Sequence, residues 1–278
     1  MTTELFFKTP SRPFVFKQTE NLLLITSDTL TKNTGIKFFY TTRIGGVSSG
    51  PFRSLNFYAR GGDSPEKVKK NFELLLSELG ISGMKRFAGE QVHSNKIEFI
   101  SDDLNISEQP VNLVKGADGL ITTAKRISLI SFFADCLPVF IFEKKNGIFG
   151  TVHSGWRSTA LNIIKNAVHS VIEKGGELQN IKIVLGPAID MDNYEVGNDV
   201  IEKFKENKES DNLVYKKAGE KFKIDISATV NNQLSKIGIN PANIFSVNLS
   251  TFKNKELFFS YRRDGKPVGE NILIAYKI

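Results

Sequence analysis

Apolar positions fall into short runs with polar breaks in the first half of the chain, among them "FVFK", "NLLLIT", "IKFFYTTR" and "KIEFIS". Runs of this length, rich in Phe, Ile and Tyr, predict β-strands. Among them "SPEKVKKNFELLLSELG" changes period: Val68, Phe72, Leu75 and Leu79 share one helical face. Asp63 or Ser64 is placed to cap that helix, Pro65 suits its first turn and Gly80 ends it. Next come "ISLISFFA", "LPVFIFEK" and "GIFGTVH", nearly unbroken in hydrophobicity, as strands buried on both faces are. A second helix is predicted through "STALNIIKNAVHSVIEKGG", with Leu161, Ile164, Val168 and Val171 as its apolar stripe. A strand "IKIVLGP", helices "GNDVIEKFKE" and "DISATVNNQLSKIG", and closing strands at "IFSVN", "LFFSYRR" and "ILIAYKI" complete the pattern. Strands and helices mix without strict βαβ alternation, which predicts an α+β fold around a mixed sheet.

No low-complexity run, linker or repeat divides the 278 residues, so a single domain over 1–278 is expected. No apolar run approaches the roughly 18 residues of a membrane span. "MTTELFFKTPSRPFVF" lacks the basic start and long apolar stretch of a secretory signal. One cysteine cannot form an internal disulfide, which fits a reducing cytoplasm. The net charge of +7 is spread out, with bases beside acids in "KFKENKESDN" and "KKAGEKFK". That reads as a solvated surface. No nucleic-acid module or basic stripe accompanies it, so neither nucleic acid nor membrane is an expected partner. An anionic small molecule is compatible with it.

With three histidines in the chain, each one can be weighed. His169 falls on the polar side of the second predicted helix and reads as a solvent-facing residue. His93 lies between two short apolar segments, His153 ends the run "GIFGTV", and Cys136 follows "SLISFFA" with Pro138 two residues on. Strand ends are where functional groups project from a rigid scaffold. Two imidazoles and a thiolate make a three-ligand set for zinc with one position left open. The same residues also suit a cysteine nucleophile with a histidine base, Asp135 being an acid available to orient the imidazole. The spacings form no local signature, and both chemistries remain open on the residues alone.

A larger set of segments carries a resemblance. "TTRIGGVSSGPFRSLNF", "GDSPEKVKKNFELL", "GEQVHSNKI", "GADGLIT", "ADCLPVFIF", "GTVHSGWRS", "LGPAI" with "YEVG", and "FFSYRRDG" occur in this order over most of the chain. Together they resemble the YfiH/YlmD family, bacterial relatives of laccase domain-containing protein 1. The resemblance implies an α/β/β/α-type sandwich and a zinc ion held by His93, Cys136 and His153. It implies purine nucleoside chemistry: phosphorolysis of adenosine, inosine and methylthioadenosine, and deamination of adenosine. On the matched segments Arg43, ahead of Gly45 and Gly46, is a candidate for phosphate or a ribose oxygen. Asn56 and Gln91 offer amides to sugar or base. Asp135 is a candidate to orient a ligand, Glu90 a candidate general base, and Trp156 a candidate for stacking on a base.

The chain also departs from that pattern. "DMDN" follows "LGPAI" where many members carry further cysteines, and "RRDGKPVGEN" lacks the Thr-Gly-Arg that often follows "RRDG". The H-x-E and P-C-x-x-C signature of cytidine-type zinc deaminases is absent. The family also bears the names polyphenol oxidase and peptidoglycan-editing factor. Three histidines are too few for a multicopper centre, so copper is disfavoured. A zinc or cysteine hydrolase acting on cell-wall precursors is the alternative.

Overall fold

The computed structural model describes residues 10–103, 110–207 and 212–278. The start of the stretch read against a secretory signal and part of "KFKENKESDN" lie outside these residues. In chain order the strands are β1 Val15–Gln18, β2 Leu23–Thr26, β3 Ile36–Thr41, β4 Lys85–Gly89, β5 Ile97–Phe99, β6 Asn112–Val114, β7 Gly119–Thr122 and β8 Ile127–Phe133. They continue as β9 Leu137–Glu143, β10 Ile148–Ser154, β11 Ile181–Leu185, β12 Glu195–Val196, β13 Val214–Ala218, β14 Lys221–Asp225, β15 Ile244–Ser246 and β16 Asn271–Lys277. The helices are α1 Pro65–Glu78, α2 Trp156–Ala160, α3 Ile163–Glu173, α4 Asn198–Glu206, α5 Ile226–Ile237 and α6 Tyr261–Asp264.

Two large sheets, β1-β2-β3-β16-β8-β4-β6 and β15-β11-β9-β10-β7-β5, pack face to face, and a small sheet β12-β14-β13 sits apart. The architecture is α+β with mixed sheets, as the sequence pattern predicts. The double-sided burial of the central strands is literal. All seven residues of β9 are buried; Phe140 and Phe142 enter the core between the sheets, while Val139 and Ile141 enter the core under the helices. Strand β16 divides likewise, with Leu273 and Ala275 inward and Ile272, Ile274 and Tyr276 towards α1. Helix α1 covers the outside of the first sheet through Val68, Phe72, Leu75 and Leu76. Helices α3, α4 and α5 cover the outside of the second through Ile164, Val168, Ile201, Phe204, Val230 and Leu234.

Strand direction decides where loops gather. Strands β6, β4 and β8 are parallel neighbours in the first sheet, so their C-terminal ends share one rim. Each is followed by a strand of the second sheet: β4 by β5, β6 by β7, β8 by β9. Three crossings between sheets therefore leave from the same rim. Strand β10 is antiparallel to both β7 and β9 and so ends at that rim as well.

Three expectations change. The second predicted helix is two helices, α2 and α3, because Asn162 adopts a left-handed backbone at φ 62. Asn is one of the few residues that enters that region at low cost. The break turns Leu161 out of the stripe, leaving it 48% exposed. "LFFSYRR" is not a strand: Leu257, Phe258 and Phe259 are buried as loop, and Ser260 caps the short α6 by accepting from Arg263 N. "KKAGEKFK", read only as charged surface, forms part of the hairpin β13–β14.

Phe140 stacks on Phe38 at 4.6 Å and on Phe142 at 5.1 Å with no exposed surface. Phe140→Ala should lower the unfolding free energy by about 3–5 kcal/mol in chemical denaturation. His169→Ala, on the exposed face of α3, should stay within about 0.5 kcal/mol of the parent.

Candidate functional site

The three crossings carry His93, Asp118 and Cys136, and the end of β10 carries His153. Chain reversals this tight need unusual backbone. Gln91, His93 and Asp135 all have positive φ, at 57, 62 and 112. The first crossing is bonded to the second through Glu90 N to Val114 O and Gln91 N to Ala117 O, at 3.0 and 2.9 Å.

His93, Cys136 and His153 converge, with one donor atom from each within 4.8 Å of the others. His93 and Cys136 are half-buried and His153 is buried. A β-carbon on Gly155, which caps α2, would stand 2.8 Å from His93 Nδ1 and 2.9 Å from Cys136 Sγ. The two donors thus press against a bare backbone where no side chain fits. This donor set, gathered at strand ends and beside an open cavity, fits a borderline-soft cation.

Asp118 organises the cluster. His153 Nδ1 donates to its Oδ1 at 2.9 Å, which leaves Nε2 free for a ligand role. The same carboxylate accepts from His93 N at 3.0 Å, from Ser94 N at 2.8 Å and from Ser94 Oγ at 3.0 Å. Burial opposes its ionisation, but the bonds from His153 and Ser94 outweigh that and hold it below the usual carboxylate range. Burial also acts to lower His153, yet the neighbouring Cys136 and the bond to Asp118 lift it to about 10. His93 moves the other way, to about 4, through burial and then the charge of His153.

The cluster opens on a cavity of about 620 Å³. Arg60, Arg157, Arg262 and Lys266 give its lining a cationic cast. Its aromatic faces include Trp156, with Arg157 stacked at 4.3 Å, and Tyr194, with Arg262 at 5.2 Å. Tyr58 and Phe132 form a tilted pair at 6.1 Å on the same lining.

Of the residues singled out in the sequence, His93, Cys136, His153, Asp135, Glu90, Gln91 and Trp156 meet the cavity, while Arg43 and Asn56 do not line it. Arg43 Nε and Nη1 donate to the carbonyls of Arg53 and Lys255, and its guanidinium stacks on Phe259 at 4.3 Å. The adjacent glycine serves packing rather than a ligand: a β-carbon on Gly45 would stand 2.0 Å from Asn21 O. Asn56 is fully buried; its Oδ1 accepts from Tyr58 N at 3.0 Å and Glu270 N at 2.9 Å. It shapes the cavity wall from behind. Gln91 spends its amide on Phe132, donating to its carbonyl at 2.9 Å and accepting from its N–H at 2.8 Å. Glu90 Oε2 accepts from Gly116 N at 3.0 Å and locks two crossings together.

Asp135 does not orient a ligand histidine; Asp118 does. The Asp135 carboxylate accepts from Thr251 Oγ1 at 2.6 Å and from Arg262 N at 2.7 Å, so it positions α6 and with it Arg262. Burial raises the Asp135 carboxyl against those bonds. Sequence reading passed over Asp118, Arg157, Arg262 and Glu270. "GADGLIT" was in view, and an acid in a turn ahead of an apolar run was the available signal for Asp118.

The chain matches the family described as multi-copper polyphenol oxidoreductase laccase over residues 37–276. It is 31% identical over 235 residues to a purine nucleoside phosphorylase of Staphylococcus epidermidis, covering 83% of this chain and 88% of that one. It is 32% identical over 230 residues to the purine nucleoside phosphorylase YfiH of Shigella flexneri, covering 83% and 89%. The crystal structure of YlmD from Geobacillus stearothermophilus superposes with a TM-score of 0.87 at 27% identity, covering 95% of this chain and 99% of that one.

Asp118→Asn keeps the shape but gives up the carboxylate that fixes His153 and His93. It should weaken zinc affinity by about 10- to 100-fold in a chelator-competition titration. An unchanged affinity would remove Asp118 from the centre of the site.

Proposed function

The chain belongs to the YfiH family of laccase-domain proteins, and on that premise we propose that it is a zinc-dependent purine nucleoside phosphorylase that also deaminates adenosine. The observation that carries this reading is the His93, Cys136 and His153 cluster opening on a cavity lined by cations and aromatic faces. Adenosine, inosine and methylthioadenosine are the expected nucleosides. The relatives' names support the phosphorylase; the deaminase activity rests on the resemblance alone.

Zinc is the ion that a Cys and two His would hold here, and when bound it would supply a Lewis acid at the cavity floor. Copper clusters of the multicopper kind need more imidazoles than the three histidines of this chain. A thiolate kept as a ligand also fits a reducing compartment, the cytoplasm.

In phosphorolysis the C1′–N9 bond breaks with its electron pair leaving on the purine, and a phosphate oxygen forms a new bond to C1′. Arg157 and Arg262 are the residues we assign to the phosphate, in place of Arg43. The Arg157 guanidinium matches phosphate geometry with paired donors, and Arg262, which spends Nη1 on Glu195 O at 2.6 Å, has Nε and Nη2 to offer. Each is also steadied by an aromatic ring, Trp156 and Tyr194 respectively. The exposed ring surface that remains on the lining is where a purine would stack.

A second reading has its own support. Asp118 is bonded to His153 Nδ1, and Cys136 Sγ lies within 4.8 Å of a ring nitrogen of His153, which puts together an acid, a base and a thiol nucleophile. That is the arrangement a cysteine hydrolase of cell-wall precursors would use. The abutting His93 favours the metal, because a thiol–histidine pair needs no second imidazole against it.

Purified protein should contain about one zinc per chain. Adenosine with phosphate should give adenine and ribose 1-phosphate, and adenosine alone some inosine, by chromatography. Arg262→Ala should raise KM for phosphate at least about tenfold, the loss of one charge-assisted pair, and spare deamination. No purine product from any nucleoside, alongside cleavage of a cell-wall precursor, would replace this function with the second reading. Cys136 should resist alkylation until a chelator is added. Rapid alkylation with zinc still bound would make it a free nucleophile.

A further inference from the structure

Three acids line the cavity, and two of them are already engaged. Asp135 holds Thr251 and the backbone of Arg262, and Glu90 holds Gly116 N. The third, Glu270, is half-buried, and among the described residues its carboxylate makes no hydrogen bond or ion pair. Its backbone is nonetheless fixed, since Glu270 N donates to Asn56 Oδ1 at 2.9 Å and Glu270 O accepts from Phe57 N at 3.3 Å. The segment it ends, Lys266 to Glu270, sends Lys266, Val268 and Glu270 to the cavity and lies in "RRDGKPVGEN", where the chain departs from the family pattern. A carboxylate held in place, partly dehydrated and without a partner is an acceptor waiting for donors from a ligand.

We propose that Glu270 is a specificity-determining residue whose carboxylate accepts hydrogen bonds from the 2′- and 3′-hydroxyls of the nucleoside ribose. The inference rests on the nucleoside reading above. An ionised carboxylate has only acceptors, so it repels phosphate and takes a donor-bearing part of the substrate. In a nucleoside the donors are the ribose hydroxyls and the N–H groups of the base. Position chooses between them. The next residue, Asn271, pairs with Phe133 at the end of β8, from which the crossing to Cys136 leaves, so Glu270 stands at the rim that carries the metal-capable cluster. In phosphorolysis the reacting carbon is C1′, and the two hydroxyls sit on the next carbons of the same ring. Two carboxylate oxygens match two adjacent hydroxyls. Phosphate is left to the side of the cavity formed by Arg157 and Arg262.

The test compares kcat/KM for adenosine and for 2′,3′-dideoxyadenosine, both with inorganic phosphate, in the zinc-loaded protein and in Glu270→Gln. Gln keeps the size and loses the charge. The ratio of the two substrates is unaffected by the fraction of folded enzyme, so a destabilised variant remains informative. Glu270→Gln should lower kcat/KM for adenosine by about 10- to 100-fold, the range of hydrogen bonds to a charged group. It should leave the dideoxy substrate within about twofold, with zinc content unchanged. Equal losses on both substrates, or no loss on adenosine, would overturn the assignment. So would a loss that follows the 6-amino group of the base when purine riboside is compared with adenosine, since that would give Glu270 to the base. A parent protein that cleaves no nucleoside would instead overturn the nucleoside reading itself.

Discussion

One carboxylate, that of Asp118, ties the site to the fold. It takes a proton-bearing nitrogen from His153, a backbone N–H from His93 and two donors from Ser94. Its own backbone is equally engaged, donating to Lys96 O and accepting from His153 N. A buried carboxylate is tolerated only where its oxygens are fully used, and here every donor that satisfies it belongs to a segment carrying or flanking a candidate ligand. The charge is therefore stable only when the ligand loops are in place, and the loops are in place only around the charge. Such mutual dependence fixes geometry more firmly than either part alone.

Topology explains why those loops are neighbours. His93, Asp118 and Cys136 are separated by long stretches of sequence, yet each sits on a crossing from the first sheet to the second. Parallel alignment of β6, β4 and β8 brings the three crossings to one rim, and the antiparallel return of β10 delivers His153 to it. The last of these crossings is only Ala134 to Cys136, which explains the positive φ of Asp135. Gly155 then closes the cluster by having no side chain to intrude.

Much of this was legible in the sequence. The unbroken apolar runs announced strands buried on both sides, and His93, Cys136 and His153 stood out as scarce donors at strand ends. What stayed hidden depended on three-dimensional pairing. Nothing local separates Asp118, which anchors the ligands, from Asp135, which anchors α6, because both are acids beside an apolar run. Arg43 looked like a ligand residue because an arginine before paired glycines is ambiguous; only the carbonyls of Arg53 and Lys255 show that its donors are spent internally. Glu270 gave no signal, since a solitary acid gains meaning only from the absence of partners around it. The break at Asn162 was equally invisible to periodicity, which carries straight through it.

The rings of Phe38, Phe140 and Phe142 fill the space between the two sheets. They set a gauge for the whole molecule, because the crossings are covalent struts of fixed length spanning that gap. A bulkier filling would spread the struts and a thinner one would slacken them, moving the donor atoms although none of them touches the substituted ring. In this fold the calibre of the binding centre is written in the thickness of its interior, and volume in the slab translates into angle at the rim.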